Sequence, residues 1–256
     1  MIYVVLPAHN EEANIGRLLR EICHTMAESS PHRRVSIVVV DDGSTDQTAA
    51  IFASFAADAE RAAFPQVEVT LLRHATNRGL AEAIKTGLAH CAAHAESRDI
   101  ILTMDADNSH TPGLIPSMVR SIQEGYDVVI ASRYQRGARA IGLSASRRVL
   151  SWCASWTFRA LFPIPCVRDY TCGFRAYRAT LVQQVLAENP HFISERGFTV
   201  MVDILLKLRT LRPQVMMTEV PLLLRYDRKL GASKMNVPRT ITDTLRLIAR
   251  RRLGRD

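Results

Sequence analysis

The sequence predicts an α/β protein, a Rossmann-like and mostly parallel central sheet with helices on both faces. Three observations carry this. Short β-branched runs alternate with amphipathic stretches across residues 1–132. The runs are continuously apolar rather than alternating, as strands covered on both faces are. Each run ends in a polar or glycine-containing loop, the punctuation between a strand and a crossover helix.

In chain order, residues 3–6 form the first strand and 13–28 the first helix; 35–40 and 45–57 form the second pair. Residues 67–72 and 80–95 make the third, 100–103 and 112–123 the fourth, and 128–131 a fifth strand. Because the first strand begins at once, without a basic leader or a small-residue cleavage site, no secretory signal is expected and the expected compartment is the cytoplasm. The longest run free of charge is twelve residues, 108–119, against the roughly 18 that a membrane span needs. With 256 residues, 47% of them hydrophobic, the chain can close one large core, which excludes a disordered tail or a stapled mini-protein.

Cys23, Cys91, Cys153, Cys166 and Cys172 are odd in number and lack C-x-x-C spacing, so neither a disulfide framework nor a zinc ribbon is indicated, and buried thiols are expected. Charge is divided sharply: residues 1–130 hold 10 basic and 17 acidic groups, residues 131–256 hold 23 and 8. A basic half of that size calls for an anionic partner, be it nucleic acid, a phosphorylated substrate or a membrane face. Only four of the 33 basic residues are lysines, which reduces the weight of any single arginine.

Ligands of parallel sheets sit beyond the carboxyl ends of the strands, and those ends are acidic here. They read Pro7-Ala8-His9-Asn10-Glu11-Glu12, Asp41-Asp42-Gly43-Ser44-Thr45-Asp46 and Asp105-Ala106-Asp107-Asn108-Ser109-His110. Three such clusters on one rim repel each other unless a positive charge neutralises them. A hard divalent cation does this at least cost, since Asp-x-Asp offers two oxygens to an ion that also bridges a diphosphate. Helix capping by Ser44, Thr45 or Thr111 is the plainer account, adequate for one cluster but not for three. Neither G-x-G-x-x-G nor G-x-x-x-x-G-K-[ST] occurs, so a dinucleotide fold and a phosphate loop are excluded.

In their order and spacing these segments, with Asn77-Arg78-Gly79-Leu80, Ala83 and Gly87, resemble the family 2 inverting glycosyltransferases of the GT-A fold. Ser132-Arg133-Tyr134, Arg147-Arg148-x-x-Ser151, Asp169 to Arg178 and Arg228-x-x-Gly231-x-Ser233-Lys234 resemble motifs of the dolichyl-phosphate mannose synthase-like branch. The resemblance implies a GT-A catalytic domain over residues 1–226, with 227–256 as a C-terminal acceptor-side loop and basic helix of the same unit. It implies a nucleotide-sugar site of Pro7, Asn10, Glu11, Asp41, Asp42, Asp105 and Ala106, with Mg²⁺ or Mn²⁺ on Asp105, Asp107 and Ser109. Ser132, Arg133, Arg147, Arg228, Ser233 and Lys234 would receive the acceptor phosphate, and Asp107, Arg133, Arg228 and Lys234 would carry catalysis. The implied donor is GDP-mannose, ahead of UDP-glucose and UDP-N-acetylglucosamine. The implied acceptor is a polyprenyl phosphate at the cytoplasmic face of a membrane. Three positions depart from the family pattern: Ser109, Ala81, and Asp203 where Glu is common.

The chemistry agrees with a phosphate acceptor. A phosphate monoester is already anionic near neutral pH, so it needs cations and a metal rather than a general base, and direct displacement inverts the anomeric carbon. A sugar-hydroxyl acceptor needs a placed carboxylate; the adjacent Glu-Asp that often supplies it is absent from this chain. Lys234, one of only four lysines, outweighs any arginine except Arg133. Arg175 and Arg178, in a predicted strand, have Asp169 or Asp227 as expected partners. Residues 143–162 hold both tryptophans among Arg147, Arg148 and Arg159, the composition either of an interfacial helix or of a core helix with its aromatics inward. The tail, with Arg250-Arg251-Arg252, is read as added surface attraction or as a solvated helix end. Two other functions stay open: transfer to a soluble metabolite or protein, using a carboxylate such as Asp169 or Asp227 as base, and a nucleic-acid module. With 6% aromatics and an acidic rim, a nucleic-acid partner is not expected.

Overall fold

The computed structural model describes residues 1–195, 197–211, 213–231 and 237–252. The predicted strands are all present, as β1 (Ile2–Ala8), β2 (Val35–Asp41), β3 (Val67–Arg73), β4 (Ile100–Thr103) and β5 (Val128–Ser132). Between them run α1 (Ile15–Ser29), α2 (Thr48–Ala57), the short α3 (Ala59–Ala62), α4 (Leu80–His94) and α5 (Ile115–Gln123). α1 buries Ile15, Leu18, Leu19, Ile22, Cys23 and Met26, the spacing of three and four that one helix face requires. The fifth helix starts three residues later than its apolar pattern, after a 3₁₀ turn at Pro112–Leu114. Likewise α2 starts at Thr48, because the preceding residues are bonded elsewhere.

The chain continues through β6 (Arg139–Ile141), α6 (Ala145–Leu161), β7 (Arg175–Arg178), α7 (Ala179–Glu188), α8 (Val200–Thr210), β8 (Met217–Pro221), β9 (Leu223–Arg225) and α9 (Val237–Arg252). Seven strands form one sheet in the order β3-β2-β1-β4-β7-β5-β8. All pairs are parallel except those of β7, which runs antiparallel between β4 and β5, with Thr103 opposite Arg175. β6 and β9 form a separate parallel pair. Every residue of β2 and all of β1 except Pro7 are buried, so both faces are covered as the continuous apolar runs predict. α4 lies so close to the sheet that a Cβ on Gly87 would stand 2.3 Å from a Val5 methyl and 3.2 Å from one of Val40.

The cysteines divide: Cys23, Cys91 and Cys172 are buried as expected, whereas Cys153 and Cys166 are exposed. Arg175 and Arg178 do not meet Asp169 or Asp227. Arg175 is wholly buried and donates to the carbonyls of Met201 (2.6 Å) and Tyr170 (2.8 Å), and Arg178 pairs with Asp127 at 3.0 Å. Of the tail arginines only Arg251 turns inward, onto the buried Asp203; Arg250 pairs with Glu195 from an exposed position and Arg252 is exposed. Leu247, on the same helix, is buried. No described helix is long and apolar enough to cross a membrane.

Candidate active site

The three carboxylate clusters meet at the carboxyl end of the sheet, as the topology requires. The first two are stitched together. The Asn10 amide donates to Ser44 Oγ (2.9 Å) and the Thr45 amide to Asn10 Oδ1 (2.8 Å). The Glu12 amide donates to Asp46 and the Gln47 amide returns to Glu12, at 3.1 and 2.9 Å. The Glu11 amide meets Thr48 Oγ1 at 2.8 Å. Asn10 takes a left-handed backbone, φ 53°, which asparagine tolerates better than most residues.

Asp41 and Asp42 hold loops. Asp41 Oδ1 accepts the Ser44 amide (2.9 Å), and its other oxygen faces Arg73 at 3.2 Å. Asp42 accepts the amides of Arg78 (2.9 Å) and Gly79 (2.7 Å) and lies 2.7 Å from the His74 ring. Gly43 makes this possible: its φ is +65°, and a Cβ there would stand 2.4–2.5 Å from the Thr76–Asn77 peptide. The Asp41 and Asp42 carboxylates are thus held by backbone amides, the His74 ring and Arg73.

The third cluster is different. Asp105 borders a cleft lined by Pro7, Leu80, Ile84, Thr103, Gly173 and Met201, among others. Its side chain is 41% exposed, and the His110 ring Nε2 lies 3.8 Å from Oδ2. Among the described residues no hydrogen bond reaches its carboxylate. Gly173 provides the room, since a Cβ there would stand 2.9 Å from Asp105 Oδ1. Partial desolvation by the surrounding protein raises the Asp105 pKa and the neighbouring Asp107 adds to it, against a lowering by His110.

Asp107 carries a cation of the chain's own. Its Oδ1 accepts the Ser109 amide (3.0 Å) and hydroxyl (2.6 Å), and its Oδ2 lies 2.6 Å from Lys229 Nζ. Burial pushes the Asp107 carboxyl up, but Lys229 outweighs it and holds the pKa below the usual value; the Lys229 ammonium is raised in return, against its own burial. Ser109, expected as a ligand, lies against Asp107 and donates both its amide and its hydroxyl to it. The set of two hard carboxylates fits Mg²⁺ or Mn²⁺, ions that keep several waters and take few protein ligands. Among the described residues no cage of three or more His, Cys, Asp or Glu side chains is present.

The predicted acceptor residues divide into three groups. Arg133 is fastened to Asp169 and also donates to Thr171 Oγ1 at 2.5 Å. Ser132 is wholly buried and its hydroxyl accepts the Tyr134 amide at 3.1 Å. Arg147 donates to the Tyr226 hydroxyl and lies 5.5 Å over that ring. Arg228 is drawn to Glu21 at 3.5 Å. Ser233 and Lys234 fall outside the described residues. Ala106 is buried beneath the third cluster. Cys172, 4.0 Å from His110, has its thiol pushed up to about 12 by burial and so serves as packing.

Two residues that join the motifs were not legible as such. Asn14, buried, donates to Glu11 Oε2 (2.8 Å) and to the Leu230 carbonyl (3.0 Å), and accepts from Leu230 N (3.2 Å). Its backbone carbonyl accepts from Asn108 Nδ2 at 3.0 Å, so one residue ties the first cluster, the third and the 226–231 segment. Lys229 is the other, and the scarcity of lysine that singles out Lys234 applies to it equally.

A mostly parallel sheet, a carboxylate rim over a cleft and a basic segment folded across it define a glycosyltransferase of the GT-A fold. Residues 3–186 match the model of glycosyl transferase family 2, and the chain belongs to that family. It is 30% identical over 235 residues to the undecaprenyl-phosphate mannosyltransferase of Micrococcus luteus, covering 92% of this chain and 87% of the relative. It is 29% identical over 234 residues to the polyprenol monophosphomannose synthase of Mycolicibacterium smegmatis, covering 91% and 80%. Among solved structures, glucosyl-3-phosphoglycerate synthase from Mycobacterium tuberculosis, in complex with Mn²⁺, uridine diphosphate and phosphoglyceric acid, superposes with a TM-score of 0.65. It is 21% identical, over 100% of this chain and 78% of that one.

Proposed function

We propose that this enzyme transfers mannose from GDP-mannose to a polyprenyl phosphate of the dolichyl type, with inversion at the anomeric carbon and with Mg²⁺ or Mn²⁺ at Asp105 and Asp107. The names of the two mannosyl-transferring relatives support the sugar and the lipid, and the Mn²⁺-containing structural neighbour supports the metal.

The observation that carries the reading is the state of the candidate bases. Asp169 is enclosed and held by Arg133, which depresses its pKa against its burial; Asp227 pairs with Arg225 at 2.8 Å, which depresses its pKa as well. Neither is a competent base at neutral pH. A phosphate monoester needs none, and in this reading it meets Arg147, Arg228 and the 226–231 segment on its approach.

In this reading Pro7 forms the cleft wall, Asp41 and Asp42 act through the loops they hold, and Asn10 and Glu11 present the nucleoside side of the rim. When bound, the metal neutralises charge on the leaving nucleoside diphosphate. Ser132 and Arg133 fix the wall behind the acceptor phosphate, and Arg147, Arg228, Ser233 and Lys234 supply its cations and donors. Residues 227–256 are the acceptor-side extension of the 1–226 domain. α6 presents Val149, Trp152 and Trp156 to solvent, the tryptophans 57% and 59% exposed, at the spacing of one helix face and beside Arg147 and Arg148. That is the composition of a helix lying in a headgroup plane, and it supports the reading of peripheral association at the cytoplasmic face of a membrane.

The donor and the stereochemistry are tested together by offering GDP-mannose, UDP-glucose and UDP-N-acetylglucosamine in turn and reading the anomeric coupling of the product by NMR. A β-linked mannosyl phosphate made from GDP-mannose supports the reading; retention of the α configuration, or preference for a UDP sugar, refutes that part of it.

A further inference from the structure

Lys229 occupies a place that the metal reading assigns to another cation. Its Nζ stands 2.6 Å from Asp107 Oδ2, and both side chains are only 12% exposed. The opposite oxygen of Asp107 is engaged by the Ser109 amide and hydroxyl at 3.0 and 2.6 Å. Oδ2 is therefore the side of Asp107 open to a metal, and it is taken. An ammonium and a divalent ion on one carboxylate oxygen repel strongly in so enclosed a place, so the two cannot share it.

The surroundings give Lys229 somewhere to go. It follows Tyr226, whose ring lies 5.6 Å from Nζ, and precedes Leu230, which Asn14 holds through both its amide and its carbonyl, at 3.2 and 3.0 Å. The backbone on one side is thus anchored while the side chain is a flexible stem of four carbons. The Nζ can therefore leave Asp107 while the backbone beside it stays in place.

Resting on the reading that Asp105 and Asp107 bind the metal, we propose that Lys229 is a resident counter-cation of that site, which holds Asp107 in the empty enzyme and, displaced by the divalent ion, moves onto the phosphates of the donor. The ammonium would keep the rim neutral before loading, oppose binding of metal alone, and favour binding of metal together with a nucleoside diphosphate. The chain would thereby select the complete metal–donor complex over the bare ion.

The test is Mn²⁺ binding followed by electron paramagnetic resonance in wild type, Lys229→Met and Lys229→Gln, first without nucleotide and then with GDP or UDP. The expected result is a reversal of sign. Both variants bind Mn²⁺ alone about tenfold more tightly than wild type, and bind Mn²⁺ with the nucleoside diphosphate more weakly. Unchanged or weakened binding of Mn²⁺ alone, or a change in the same direction in both arms, overturns the proposal while leaving Asp105 and Asp107 as metal ligands. Failure of wild type and both variants to bind Mn²⁺ with or without nucleotide overturns the proposal and the metal reading together.

Discussion

Arg133 and Asp169 are joined by three hydrogen bonds: the Arg133 amide and Nε reach Asp169 Oδ2 at 3.0 and 2.8 Å, and Nη2 reaches Oδ1 at 2.7 Å. Asp169 in turn accepts the Cys172 amide at 3.1 Å, and its own amide donates to Glu219 at 2.6 Å. A fork so held fixes the end of β5 to the 169–174 segment, the segment that carries Gly173 to Asp105. Asp169→Ala leaves an enclosed guanidinium without its partner, which costs about 3 kcal/mol. Urea unfolding monitored by circular dichroism measures that loss.

The same pair sets an acid limit. The folded-state pKa of Asp169 is depressed, because the Arg133 charge outweighs its burial. The stability it contributes is therefore complete above the unfolded carboxylate value of about 3.9 and is lost as pH falls through the lower folded value. Stability of wild type is predicted to fall below about pH 4 more steeply than that of Asp169→Ala, as compared by thermal unfolding across that range. Parallel curves would contradict the assignment.

Gly173→Ala tests the room left for Asp105. The added Cβ would stand 2.9 Å from the carboxylate oxygen, and the side chain can swing aside at little cost in stability. The predicted outcome is an unfolding midpoint within about 0.5 kcal/mol of wild type, with Mn²⁺ affinity and transfer reduced about tenfold or more.

Trp152 and Trp156 are exposed on α6, so replacing both by serine leaves the core intact. Sedimentation with vesicles containing anionic lipid is predicted to show partition weakened by about tenfold per tryptophan, with the unfolding midpoint unchanged. Equal partition would remove α6 from the membrane face.

β1, β2, β4 and β5 were legible because a strand buried on both faces leaves a continuous apolar run, as 35–40 does, and the half-buried edge strand β3 because its run is β-branched and apolar-rich. β7 was not placed between β4 and β5, since its partners Thr103 and Ile130 are distant in sequence and nothing in a local pattern records an antiparallel insertion. Asp105 and Asp107 were legible as a pair at a strand end. What was not legible is the set of partners that decides what each carboxylate does: the Gly79 amide on Asp42, Arg133 on Asp169, Lys229 on Asp107. These contacts cross 36 to 122 positions and exist only once the sheet brings its loops to one rim. Asn14 is the clearest case, an unremarkable residue before α1 that meets Leu230 216 positions later.

The central claim, sugar transfer to a lipid phosphate, is tested most directly by following label from GDP-mannose into the organic phase in the presence of Mn²⁺ and a short polyprenyl phosphate. The account predicts organic-phase label from the wild type, abolished by EDTA and by Asp107→Ala. Label that stays in the aqueous phase on a water-soluble acceptor, with none extracted by the organic solvent, would contradict it.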